Sequence, residues 1–172
     1  MSELWRTVFG DPCRECGFAW SISQVDATSL VANIPNRIGE LLDESGGVSL
    51  RHPDLSWSAG AYVCHVADNL RIWAERLAGL ALGATGPVAP YSEDDLARTR
   101  NYELIPPVAA LWSLGRAVAD WQEAVNVATE KQVIVEHPEQ GPQTVLDVVR
   151  SNAHDVHHHA WDIQRMIDYK QS

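Results

Sequence analysis

Cysteine is scarce in this chain. Three residues, Cys13, Cys16 and Cys64, are too few for a disulfide scaffold or a four-cysteine metal site. Basic charge is scarcer than acidic charge: 13 Lys and Arg stand against 23 Asp and Glu, for a formal net charge of −10. That balance argues against general nucleic-acid binding, which wants a basic surface. No apolar run approaches the roughly 20 residues of a membrane span. The opening MSELWRTVFGD has no apolar signal core, so a cytoplasmic protein that does not enter the membrane is expected. Repeats and low-complexity tracts are absent. Lysine occurs only at 131 and 170, a bias with no direct mechanistic meaning.

What remains is 172 residues, 45% hydrophobic, enough for one domain with a substantial core. Residues 1–23 read as an irregular segment and 24–172 as the domain. Apolar residues recur at helical spacing in four stretches. In 25–44 the stripe is Leu30, Ile34, Ile38 and Leu41 or Leu42, with Pro35 marking a kink or the true start and Ser45-Gly46-Gly47 the end. In 57–83 it runs from Tyr62 to Leu80, with Ser58 as N-cap. Pro106-Pro107 opens the third stretch, 107–130. The fourth, 141–170, starts at Pro142 and Gln143 or is capped by Thr144. Ser92 caps a shorter acidic-fronted helix, and Val133-Ile134-Val135 reads as one strand-like piece. Four long amphipathic helices predict an all-α, antiparallel four-helix bundle with long crossover loops.

The fourth stretch holds the polar chemistry. On a helical projection His159 lies about 40° and Asp155 about 80° from the centre of the apolar stripe, with Asp162 near them at about 100°. His154 projects to the opposite face, and His157 and His158 lie about 120° and 140° away, looking outward. Asp155 and His159, four apart, form a bidentate metal platform at the core edge. The same pair also suits a half-buried histidine bonded to its neighbour. On the second long helix His65 and Asn69 share one flank of the stripe. In the N-terminal segment, DPCRECGF has the C-x-x-C-G form of half a zinc knuckle. Cys13 and Cys16 are open to three readings: a structural or accidental role, zinc shared with His52 or His137, or a redox dithiol.

Two runs resemble a known family. Leu55-Ser-Trp57-Ser-Ala-Gly60-Ala-Tyr-Val63-Cys-His65-Val66-Ala-Asp-Asn69 is similar to the second-helix signature of the DinB-like superfamily, nearest to mycothiol-dependent maleylpyruvate isomerases and related thiol S-transferases. Asp155-x-x-x-His159-x-x-Asp162-Ile163 resembles the last-helix motif. The resemblance spans about residues 25–168. It implies a bundle holding one divalent metal through His65, Asp155 and His159. Members usually carry His or Glu where Asp155 stands. Either the helix sits closer to the metal, or His158 substitutes. Zinc is the expected ion, with nickel or iron as alternatives, and a low-molecular-weight thiol such as mycothiol as cosubstrate. Asp162 would orient a ligand histidine, and Asn69, Arg100 and Tyr102 would contact substrate. The implied function is a metal-dependent thiol transferase or isomerase with a metal-activated thiol or water. A DinB-like stress protein, or a tailoring lyase or cyclase, is the alternative. The expected partners are a small-molecule substrate and a second copy of the chain, as a homodimer.

Overall fold

The computed structural model describes residues 3–45, 47 and 49–171; Gly46, part of the expected end of the first long helix, lies outside them. Six helices and a hairpin follow in order: α1 (Glu3–Phe9), α2 (Gln24–Ser45), α3 (Ala59–Ala81), α4 (Glu93–Thr99), a 3₁₀ turn (Tyr102–Leu104), α5 (Pro107–Glu130), β1 (Ile134–His137), β2 (Gly141–Thr144) and α6 (Val145–Gln171). The four long helices form the antiparallel bundle. α3 packs on α5 and α2 on α6, with α3–α6 and α2–α5 contacts closing the ring. Among the described residues no helix is long and apolar enough to cross a membrane.

Local chemistry sets the element ends. The Ser58 side chain accepts from the Ala61 amide and starts α3, and Ser92 does the same for α4 through Asp95. Pro107 occupies the first turn of α5, where its missing N–H costs nothing. Pro35 neither starts nor ends α2; it lies inside a 22-residue helix. The start of α6 falls at Thr144, not at Pro142. The Thr144 hydroxyl donates to Asp147 Oδ2 at 2.7 Å and accepts from the Asp147 amide at 3.2 Å. Pro142 and Gln143 instead belong to β2, paired with β1 in the register Val135↔Gln143 and Glu136↔Pro142. The expected single strand-like piece is therefore half of a hairpin.

The bundle interior is filled by Ile34, Ile38, Leu70, Leu77, Leu114, Trp121, Ile163 and Met166, each under 2% exposed. The Trp121 indole N–H donates to Asn152 Oδ1 at 2.9 Å, so the one polar atom of that side chain is satisfied.

The N-terminal segment departs from its sequence reading. It contains α1, and it lies along α6. Phe9, Phe18 and Trp20 pack around the His154 ring at centroid distances of 4.7, 5.4 and 4.6 Å. The Arg150 Nε–H donates to the Ile22 carbonyl, and His157 Nε2 meets the Cys16 carbonyl at 3.1 Å. His154 is thus only 6% exposed. His154 is buried and His157 and His158 are half-buried, because the N-terminal segment lies over much of the face they occupy.

Candidate metal centre

α3 and α6 run side by side, and their flanking polar residues meet. His65 enters from α3 and is 2% exposed; Asp155 and His159 enter from successive turns of α6. Asp155 Oδ1 lies 3.6 Å from His65 Nε2 and 3.5 Å from His159 Nε2. The two imidazole rings stand edge to face, 4.8 Å apart. A tetrahedral ion with ligand bonds of about 2.0–2.1 Å separates its donors by about 3.4 Å. The donor spacing fits that size. His65 Nε2 is buried with no hydrogen-bond partner, the condition of a ring nitrogen that an ion would satisfy.

Neighbouring side chains fix each donor. Asn69, one turn after His65, donates to Asp155 Oδ2 at 2.7 Å and so aims Oδ1 at the two imidazoles. The Tyr91 hydroxyl donates to Asn69 Oδ1 at 3.3 Å. Asp162 Oδ2 sits 3.1 Å from His159 Nδ1, which selects the tautomer with Nε2 free for an ion. Trp57 and Tyr62 pack on the His65 and His159 rings. Burial alone would raise Asp155, but His159 and His65 outweigh it and hold the carboxyl well below its usual range. Burial would lower His159, but Asp155 and Asp162 push it up to about 9 in the metal-free protein.

The centre opens into a cavity of about 390 Å³. Trp73, Arg76, Tyr91, Glu93 and His137 line it, together with Trp5 and Phe9 of α1 and Asn152, His154 and His158 of α6. The Arg76 guanidinium stacks on Trp73 at 4.8 Å and on Tyr91 at 5.5 Å. Sequence reasoning passed over Arg76 and Tyr91. A signal for Arg76 was present, because His65, Asn69 and Arg76 follow a helical i, i+4, i+11 course along α3.

Other expected site residues fall elsewhere. Arg100 and Tyr102 do not face the cavity. Arg100 donates to Asp68 Oδ1 at 2.8 Å, and the Tyr102 hydroxyl donates to Asp68 Oδ2 at 2.6 Å. Asp68 also pairs with Arg71. These contacts tie the α4 region to α3. His158 Nε2 faces Glu15 and Asp162, at 3.5 and 3.8 Å, rather than replacing Asp155. Cys13 and Cys16 meet neither His52, which packs on Tyr169, nor His137, which lines the cavity. They lie against His154 and His158. Burial pushes the Cys16 thiol up to about 12 and pulls His154 down to about 4.

A bundle of this kind, with one His–Asp–His cluster between its second and last long helices, defines the class. The chain belongs to the DinB superfamily, whose profile matches residues 36–163. Among solved structures it is similar to YfiT from Bacillus subtilis, described as "a probable metal-dependent hydrolase with an unusual four-helix bundle topology". The likeness has a TM-score of 0.74 at 18% identity and covers 87% of this chain and 90% of the other. No curated protein sequence matches the chain significantly.

Proposed function

We infer that the protein is a divalent-metal-dependent enzyme that uses a small thiol in a transfer or isomerisation reaction. His65, Asp155 and His159 would hold the ion. The observation that carries the reading is Asp155 Oδ1, set between two imidazole nitrogens while Asn69 occupies Oδ2. Three protein donors leave coordination positions open, as in catalytic sites and unlike closed structural ones. A divalent ion there supplies Lewis acidity, lowering the pKa of a thiol or water at neutral pH. One carboxylate offsets one of the two ionic charges, and a thiolate offsets the other. That balance favours a thiol deprotonated below its free value of about 8.5.

The chain's own groups do the rest. Asn69 and Asp162 hold Asp155 and His159 in register. Arg76 lines the same cavity, a cation suited to a carboxylate on a small thiol such as cysteine, and Asn152 and Tyr91 add polar contacts. Trp5, Phe9 and Trp73 provide apolar wall that limits water.

The test is addition of cysteine or mycothiol to the cobalt-substituted protein. A new sulfur-to-cobalt charge-transfer band, absent in Asp155→Ala, is expected. If no thiol changes the spectrum while water exchange shows an open position, thiol chemistry is ruled out. The hydrolytic reading, which the description of YfiT favours, then takes its place.

A further inference from the structure

Four donors outside that centre come together on the adjoining face of α6, where His154 and His158 also reach the edge of the cavity. One ligand atom each from Cys13, Cys16, His154 and His158 lie within 4.8 Å of one another. We propose that Cys13, Cys16, His154 and His158 form a second, closed zinc site that fastens the N-terminal segment to α6.

The chain is folded for it from both sides. Residues 13–18 make a tight turn, with the Gly17 amide on the Cys13 carbonyl and the Cys13 amide on the Phe18 carbonyl, both at 2.9 Å. Gly17 has φ +73°, a left-handed conformation that glycine adopts freely. This turn brings two sulfurs, three residues apart, to one point. His154 and His158 are one helical turn apart on α6, so their rings project to the same place. His154 Nε2 and His158 Nδ1 are both buried with no hydrogen-bond partner, and the His154 ring is enclosed by Phe9, Phe18 and Trp20. A purely apolar packing role leaves those nitrogens unsatisfied at a cost; an ion satisfies them.

The donor set selects the metal. Two thiolates and two imidazoles suit zinc in a tetrahedral shell, and four protein donors leave no position for substrate. The site is therefore structural, whereas the His65 centre is open. Its position shows what it would hold in place. α1 contributes Trp5 and Phe9 to the cavity lining, and Cys13 and Cys16 follow it closely enough in the chain to anchor it.

The experiment uses the full chain, purified without chelator. Metal analysis should give two zinc ions per chain. X-ray absorption at the zinc edge should show sulfur at about 2.3 Å, averaging one sulfur per zinc across the two sites. Cys13→Ser/Cys16→Ser should bind one ion per chain with no sulfur in its shell, and His65→Ala should keep one ion with two sulfurs. Cys64→Ser should change nothing. Should the double serine variant fold poorly, the absorption spectrum of the unaltered protein stands as an independent test. Zinc with no sulfur neighbour in the unaltered protein overturns the proposal. So does a Cys13–Cys16 disulfide, found by thiol counting, in zinc-loaded protein. A sulfur signal that survives the double serine variant overturns it as well.

Discussion

Asn69 orients a donor of the candidate metal centre without being a donor itself. Its amide holds Asp155 Oδ2 at 2.7 Å, and Tyr91 in turn holds Asn69. Replacing a group that orients a ligand typically weakens metal binding by about 10–100-fold. Asn69→Ala should do so in chelator competition while leaving the stoichiometry at saturating metal unchanged. His159 adds a pH dependence. In the metal-free chain its neighbours hold it at about 9, so below that pH an entering ion must displace a proton. Measured in Cys13→Ser/Cys16→Ser, where this centre alone reports, the dissociation constant should fall by about tenfold per pH unit from 7 to 9 and then level off. A flat profile would remove His159 from the ligand set. The same shift governs the stability of the metal-free fold. A raised imidazole contributes stability that is full below its unfolded value of about 6.5 and lost as pH rises through about 9. Asp155, depressed, contributes above its unfolded value of about 3.9 and loses that contribution in acid.

Elements were read most faithfully where one short interaction decides an end or a face. Ser58 and Ser92 announce their helices because a capping hydroxyl acts within three residues. Asp155 and His159 were separable from their neighbours because helical spacing fixes direction relative to an apolar stripe. The same projection misplaced His154, since it reports a side chain's angle and not what the remaining chain lays over it. Arg100 and Tyr102 were assigned to substrate because no local pattern reveals a partner more than 30 residues away. That partner, Asp68, is 4% exposed and bonded by both of them and by Arg71. Arg71 and Arg100 reach solvent, so the cost of removing Asp68 falls on the buried Tyr102 hydroxyl and comes to about 1–3 kcal/mol. Asp68→Ala should lose about that much in urea denaturation, with metal content unaltered in the folded fraction.

Across the whole molecule, an ion held by His65, Asp155 and His159 as proposed would bind only the folded chain and join α3 to α6. Its removal should therefore loosen the bundle. At a free metal concentration of about 100 times the dissociation constant, binding adds about 2.7 kcal/mol. Chelation should lower the melting temperature, and restored metal should recover it. His65→Ala should show the smaller response that a remaining Cys13–His158 ion alone would give. Finally, α6 carries two donors of each cluster, offset by a single residue: His154 and His158, Asp155 and His159. One pair faces the N-terminal strap and the other faces α3, about 100° apart around the same axis. Turning that helix by about 10° swings atoms roughly 6 Å from its axis by about 1 Å, half a ligand bond. With an ion in each cluster, the two would act on α6 as set-screws on one shaft. Whichever is seated first would fix the angle at which the other must fit, so filling either site is expected to change the affinity of its neighbour, equally in both directions, as titration of one site with the other blocked by His65→Ala or Cys13→Ser/Cys16→Ser would read.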